Sequence, residues 1–388
     1  MKPMDPATEL RPLPTEQLIN ELQSYGVRLV DPRAGADSRR GGAGPSDHKA
    51  LTLDGMTVMV PVHTAPAFES PYLVEKPDAF GRSRISRDGL ALGEVSFPLQ
   101  PKFYGLTTTE GVPYSKIAVL HGRDVLATTV LQTCIRYQSR AKTCQFCAIG
   151  QSLAAGRTIA RKTPSQLAEV AKAAVELDGV KHMVMTTGTP PGKDRGAAIL
   201  TESAAAVKGA VDLPIQVQCE PPDDDAWFAR MFEAGADALG MHLEACTEEV
   251  RQKIMPGKAQ VSVERYFEAF EAAVPVFGRG QVSTYILAGL GDAREDILAV
   301  CDRLTRMGVY PFVVPFVPIS GTPLESHPTP SPAFMNSILG PLSGMLLATG
   351  LKSIEVKAGC ARCGACSALS TYERRSAAQG LVRQGGCA

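Results

Sequence analysis

The chain has 388 residues, 44% hydrophobic and 21% charged, which is ample for a large buried core. Its 36 glycines and 29 prolines make about 17% of the total, below the ~25–30% that marks low-complexity chains. Lys+Arg 40 cancels Asp+Glu 40, so the basic excess of proteins that live on phosphate backbones is missing, and no apolar run approaches the ~18 residues of a membrane span.

The opening stretch, MKPMDPATELRPLPTEQ, has no apolar segment of the signal-peptide kind. A cytoplasmic protein with no membrane and no nucleic-acid partner is the expectation. Ten cysteines are many for a reducing compartment, where clustered thiols point to metal or catalysis rather than disulfides.

Along the chain, Thr15 to Tyr25 predicts a short amphipathic helix stopped by Gly26. Residues 33–48 are rich in Gly, Ser and Arg without periodicity and read as a mobile linker. Asp54-Gly55 separates two β-prone runs and predicts a hairpin, and a second strand pair is expected around His121–Asp124. Residues 1–120 therefore read as an α+β extension. From 121 to 330 strands and helices alternate, with strands expected at 125–131, 182–187, 214–219, 238–244, 281–287 and 312–317. Helical patterns lie between them, at 223–234, 263–274 and 293–307, and most clearly after the capping box Thr163-Pro164-Ser165-Gln166. Six βα repeats predict an α/β fold with a parallel sheet, open or curled into a partial (β/α)6 TIM-type barrel. A helix near 333–349 and a cysteine-rich tail complete residues 331–388.

In such folds ligands bind at the carboxyl ends of strands. The first strand leads into Cys134, Cys144 and Cys147, three thiols on one loop that could fill three corners of an iron–sulfur cluster and leave one iron without a protein ligand. A zinc site short of one ligand, or unrelated buried thiols, are the alternatives on spacing alone. The second strand ends in Gly188-Thr189-Pro190, where glycine permits close backbone approach to a ligand. Glu220 and Glu244 end the third and fourth strands, placed either to accept hydrogen bonds from ribose hydroxyls or to serve as helix N-terminal charges. His242 taken alone suits a satisfied core histidine. Cys219, Cys246 and Cys301 read as ordinary buried thiols.

Together the triad, the aromatic Phe146 before its last cysteine, Gly188-Thr189-Pro190, the acidic strand ends, Gly289-Leu290-Gly291 and Pro315–Leu324 resemble the radical S-adenosylmethionine (SAM) superfamily, in its biotin synthase and lipoyl synthase branch. The resemblance covers about residues 125–330, and the whole chain resembles a radical SAM family encoded beside nitrilases. One departure stands out: the superfamily usually spaces its cysteines by three and then two residues, whereas here nine and two intervene. The resemblance implies that Cys134, Cys144 and Cys147 hold a 4Fe–4S cluster whose open iron chelates SAM. It further implies SAM contacts from Phe146, Gly188, Thr189, Pro190, Glu220, His242, Glu244 and Arg251 or Lys253, and a flavodoxin- or ferredoxin-type electron donor.

Cys360, Cys363 and Cys366 form a C-x2-C-x2-C run, the opening of ferredoxin-type ligation, with Cys387 eligible as a distant fourth ligand. A second iron–sulfur cluster is expected there; a zinc knot or an inert tail are the other readings. Such a cluster could anchor substrate, take an electron, or donate sulfur as in lipoyl and biotin synthases. The leading expectation is thus a radical SAM enzyme acting on a small metabolite of cofactor or nitrogen-compound metabolism. Sulfur insertion or methylthiolation is the second, and a non-catalytic iron–sulfur scaffold or electron carrier the third.

Overall fold

The computed structural model describes residues 13–30 and 48–385. The linker expected at 33–48 lies outside the described residues except for His48, and so does Cys387. Helix α1 (Thr15–Tyr25) buries Ile19 and Leu22 and stops at Gly26, whose φ of 72° and contact with the Pro61 carbonyl exclude a β-carbon. It leads into a six-stranded sheet made of β1 (Arg28–Leu29), β2 (His48–Leu53), β3 (Met56–Pro61), β4 (Tyr72–Val74), β5 (Arg82–Arg87) and β6 (Leu90–Ser96). The one-turn helix α2 (Ala65–Phe68) links β3 to β4. The Asp54-Gly55 hairpin forms as expected. Both residues take positive φ (48° and 77°), which lets the turn follow the right-handed strand twist.

The second sheet runs in chain order: β7 (Val119–His121), β8 (Val125–Thr129), β9 (His182–Thr186), β10 (Ile215–Gln218), β11 (Ala238–Gly240), β12 (Val282–Ala288) and β13 (Val309–Pro315). β8 to β13 are parallel, and β7 is an antiparallel edge joined to β8 by the hairpin expected at His121–Asp124. That hairpin belongs to the barrel sheet, so residue 120 falls inside it. Val125 on the first parallel strand and Val314 on the sixth line one cavity, so the sheet curls into an open barrel. The partial (β/α)6 architecture is present.

The connecting helices are α3 (Ile149–Ala154), α4 (Pro164–Asp178), α5 (Ala197–Ala210), α6 (Ala226–Glu233), α7 (Glu248–Ile254), α8 (Val263–Phe277) and α9 (Arg294–Met307). The capping box is complete. Gln166 N donates to Thr163 Oγ1 at 3.2 Å and Thr163 N to Gln166 Oε1 at 3.0 Å. After the sheet come α10 (Pro332–Thr349), α11 (Cys360–Cys363) and α12 (Leu369–Gly385). Five of these helices, α3, α5, α7, α11 and α12, have no counterpart among the predicted ones. In α5, seven alanines and glycines dilute the apolar stripe, and only burial of Leu200 and Val207 under α4 shows which face is inward. Two predicted strands shift. The one expected at 238–244 ends at Gly240, and the one expected at 312–317 begins at Val309.

Candidate functional site: a barrel lumen with thiols at both mouths

At the upper mouth, where the parallel strands end, the segment after β8 is stitched to the end of β9. Val130 N donates to Thr186 O at 2.8 Å, Gly188 N to Leu131 O at 2.9 Å, and Ile135 N to Thr189 O at 3.0 Å. A β-carbon on Gly188 would stand 2.2 Å from the Thr133 carbonyl oxygen, so only glycine lets the loop pass. The long span between Cys134 and Cys144 is folded. Lys142 N, Thr143 N and Thr143 Oγ1 all donate to Ser139 O, at 2.8–2.9 Å. Gln145 N donates to Ile254 O and Gly257 N to Lys142 O, pinning the loop to the chain after α7. The nine intervening residues therefore make a closed turn that returns Cys144 and Cys147 to the side of Cys134. All three thiols line a cavity of about 400 Å³.

Burial pushes the Cys147 thiol up to about 12 and the Cys144 thiol well above its ordinary value, with the Glu244 charge adding to the second. Thiols held neutral in this way give up their protons when a metal arrives, and the metal then neutralises the charge that burial penalises. The donor set suits iron–sulfur ligation. Among the described residues no three His, Cys, Asp or Glu side chains close on one point, the arrangement a single tetrahedral ion requires.

Two ion pairs flank the thiols. Glu220 receives Arg136 Nε at 2.7 Å and Nη2 at 2.6 Å, and Thr189 Oγ1 at 2.7 Å. Burial would raise its carboxyl, but the Arg136 hydrogen bonds outweigh that and hold it below the usual carboxylate range. Glu244 receives Lys258 Nζ at 2.8 Å. Burial opposes the ammonium, yet the Glu244 charge prevails and Lys258 stays protonated. Glu244 has φ 68°, a strained value for a side chain with a β-carbon, fixed by its N–H on Tyr285 O and its carbonyl under Leu287 N, both at 2.8 Å. His242 lines the cavity as a neutral ring: Nδ1 accepts the Tyr285 N–H at 3.2 Å, and burial pushes its pKa down to about 3. Phe146 lines the cavity as well and packs with Ile254, Leu290, Phe316 and Leu324.

Arg251 corrects an expectation. It is completely buried, at 0% exposure, on the inward face of α7, where it donates to the carbonyls of Leu243, Lys258 and Val261 and lies 4.9 Å over the Tyr266 ring. It stands outside the cavity lining, and Lys253 is exposed on the opposite side of the same helix. Pro190 is also outside the lining; it has no N–H to offer, and the neighbouring Thr189 carbonyl is taken by Ile135. The cations that reach the cavity are Arg136 and Lys258, which the sequence did not single out. Arg136, two residues after Cys134, was the available signal.

The lower mouth is closed by the C-terminal cysteines. Gly359 N donates to His182 Nδ1 at 3.2 Å, Cys360 N to Gln216 Oε1 at 3.4 Å, and Gln218 Nε2 to Cys360 Sγ at 3.5 Å. Ser367 Oγ donates to Val313 O at 2.6 Å. The N-terminal unit braces the same loop, with Met59 N and Gln23 Nε2 both donating to Ala365 O, at 2.7 and 3.1 Å. A β-carbon on Gly359 (φ 110°) would meet the Gln216 side chain at 2.2 Å. Cys360, Cys363 and Cys366 line the same lumen as the upper triad, and burial pushes the Cys363 thiol up to about 12. Cys219 at 8%, Cys246 at 5% and Cys301 at 0% exposure are buried as expected.

The parallel open barrel thus carries three thiols and two paired carboxylates at its carboxyl mouth. The radical SAM superfamily model matches residues 141–304, a segment that takes in Cys144 and Cys147 and begins after Cys134. The chain is 26% identical over 242 residues to bacteriochlorophyllide c C-7(1)-hydroxylase of Chlorobaculum limnaeum, covering 58% of this chain and 60% of that one. It is 25% identical over 170 residues to lipoyl synthase of Shouchella clausii (strain KSM-K16), covering 43% and 52%. The chain thus spans between about half and three-fifths of these relatives' lengths. Among solved structures, methylornithine synthase is similar with a TM-score of 0.45 and 18% identity, over 64% of this chain and 72% of that one. Proteins of the radical SAM superfamily use a 4Fe–4S cluster and SAM. Among the described residues no helix is long and apolar enough to cross a membrane.

Proposed function

We propose that the substrate is a small metabolite held in the barrel lumen between two iron–sulfur sites, one on Cys134, Cys144 and Cys147 and one on Cys360, Cys363 and Cys366. The observation that carries this reading is the single cavity onto which all six thiols open. When bound, the first cluster and SAM supply a 5′-deoxyadenosyl radical that takes hydrogen from the substrate. The residues of the chain do the rest. Three upper thiols would hold a cluster with one iron left for SAM, and Glu220 and Glu244 would accept hydrogen bonds from its ribose. Lys258 and Arg136, in place of Arg251, would meet its carboxylate. Val125, Ala127, Val184, Leu287 and Val314 keep the lumen dry, so that the radical meets substrate before solvent. A flavodoxin- or ferredoxin-type protein supplies the electron.

A second reading, sulfur insertion, is favoured by one feature: the lower thiols face the lumen rather than the outer surface. Anaerobic reconstitution with iron and sulfide tests both readings, followed by an iron count and a 5′-deoxyadenosine assay with SAM and dithionite. More than about four irons per chain with SAM cleavage is the expected result. No cleavage overturns the first reading. An iron count unchanged by the Cys360/Cys363/Cys366→Ala variant removes the second site and, with it, sulfur insertion.

A further inference from the structure

The lower site, on the reading just given, has three thiols and needs a fourth protein ligand if every iron position is to be filled. Cys387 lies outside the described residues. Helix α12 has seventeen residues and carries the backbone about 25 Å away from the loop that holds Cys366. On the way it runs along α10 and α1, with Ser376 against Ser343 and Arg375 on Glu16. Another donor already faces the thiols. His121, the last residue of β7, lines the same lumen, and its Nε2 lies 3.8 Å from Cys366 Sγ.

We propose that His121 is the fourth ligand of the lower site, binding through Nε2 and sharing one iron of a two-iron, two-sulfide cluster with Cys366, while Cys360 and Cys363 hold the other iron. The separation supports the shared iron. Metal–sulfur and metal–imidazole bonds of ~2.3 and ~2.1 Å at a tetrahedral centre put S and N about 3.6 Å apart. Cys360 and Cys363 bracket the single turn of α11, three residues apart and therefore on one face. Each thiol releases its proton on binding, whereas the imidazole binds as the neutral ring with its proton on Nδ1. Tyr285 and Gln218 add hydrogen bonds to the sulfurs: Tyr285 reaches Cys360 and Cys366, and Gln218 reaches Cys360. Such bonds tune a cluster's potential.

The test uses the full-length Cys134/Cys144/Cys147→Ala variant, reconstituted anaerobically with iron and sulfide, reduced with dithionite, and examined by iron count and pulsed EPR. About two irons per chain are expected, with a directly bound 14N coupling that changes to the 15N pattern when the protein carries 15N-histidine. Adding His121→Ala should abolish that coupling. Adding His121→Cys should keep the iron, remove the coupling and lower the reduction potential, because imidazole in place of thiolate raises it. A nitrogen coupling that survives His121→Ala overturns the proposal, as does loss of the cluster on Cys387→Ser. A triad-less chain that takes up no iron overturns the second cluster itself, so failure of the ligand and failure of the underlying reading are told apart.

Discussion

At the upper mouth the thiol loop is surrounded by charge: Arg136 grips Glu220 with two hydrogen bonds, Lys258 reaches Glu244, and Arg195 stands 3.6 Å from Glu220. At the lower mouth the partners are neutral. His182, Gln216 and Ser367 tie the cysteine loop to the strands, and Gln23 and Met59 tie it to the N-terminal unit. The contrast separates two tasks. Charged pairs in a partly desolvated cavity can exchange partners with a zwitterionic ligand such as SAM, whereas amide and hydroxyl hydrogen bonds fix a backbone that has no reason to move.

Perturbations at the two mouths should therefore differ in kind. The largest effect is expected from Cys144→Ala, which should abolish SAM cleavage while the thermal unfolding midpoint stays close to the parent's. Normal 5′-deoxyadenosine formation in that variant would remove the triad from the chemistry. Next comes Arg251→Ala, which leaves three carbonyls without their donor and opens a void. It should cost ~3–5 kcal/mol of stability in denaturant titrations, yet leave SAM affinity intact in the folded fraction. Weaker SAM binding by that folded fraction would return Arg251 to the ligand site.

Glu220→Gln and Glu244→Gln should each weaken SAM binding about 10- to 150-fold by calorimetry, the worth of one charge-assisted hydrogen bond of ~1.5–3 kcal/mol, without loss of iron. Equal affinity in both variants would make these carboxylates purely structural. The smallest effect concerns acid. His182 is buried at 2% exposure, and desolvation pushes its pKa down to about 4. The unfolded chain, with a pKa near ~6.5, binds the proton first, so this contribution is complete above that pH and is lost as pH falls toward about 4. Glu220 also has a lowered pKa, so its contribution is likewise lost on acidification, but only as pH falls through the ordinary carboxylate range and below. Between pH 7 and 5 the lower mouth should loosen and the upper should not. Comparing unfolding midpoints of the iron-free parent and His182→Gln at both pH values checks this; identical pH slopes would refute it.

Much of the upper mouth was legible because its signal is local. Three cysteines follow an apolar strand, and Gly188 marks a close backbone approach one strand later. What escaped depends on long-range geometry. Arg136 finds its partner 84 residues away, and the role of Arg251 was set by which face of α7 turned inward, which a seven-residue helix encodes weakly. The lower mouth was half legible. The C-x2-C-x2-C run announces a ligand set, but His182, Gln216 and Ser367 carry no pattern until the strands place them, and His121 sits on an edge strand of only three residues. Helix α5 escaped for a related reason, since alanine favours a helix without saying which side is buried.

The loop that seals the lower mouth is made well after the barrel it seals. Pro315 ends the sixth parallel strand, and Ser367, whose hydroxyl locks the loop to Val313, follows 52 residues later. At ~5–20 residues per second, the ribosome leaves the nascent barrel open at that end for about 3–10 s. A chain ending before residue 359 should therefore keep that end of the lumen uncovered, with His182 Nδ1, Gln216 Oε1 and Val313 O without the loop's donors.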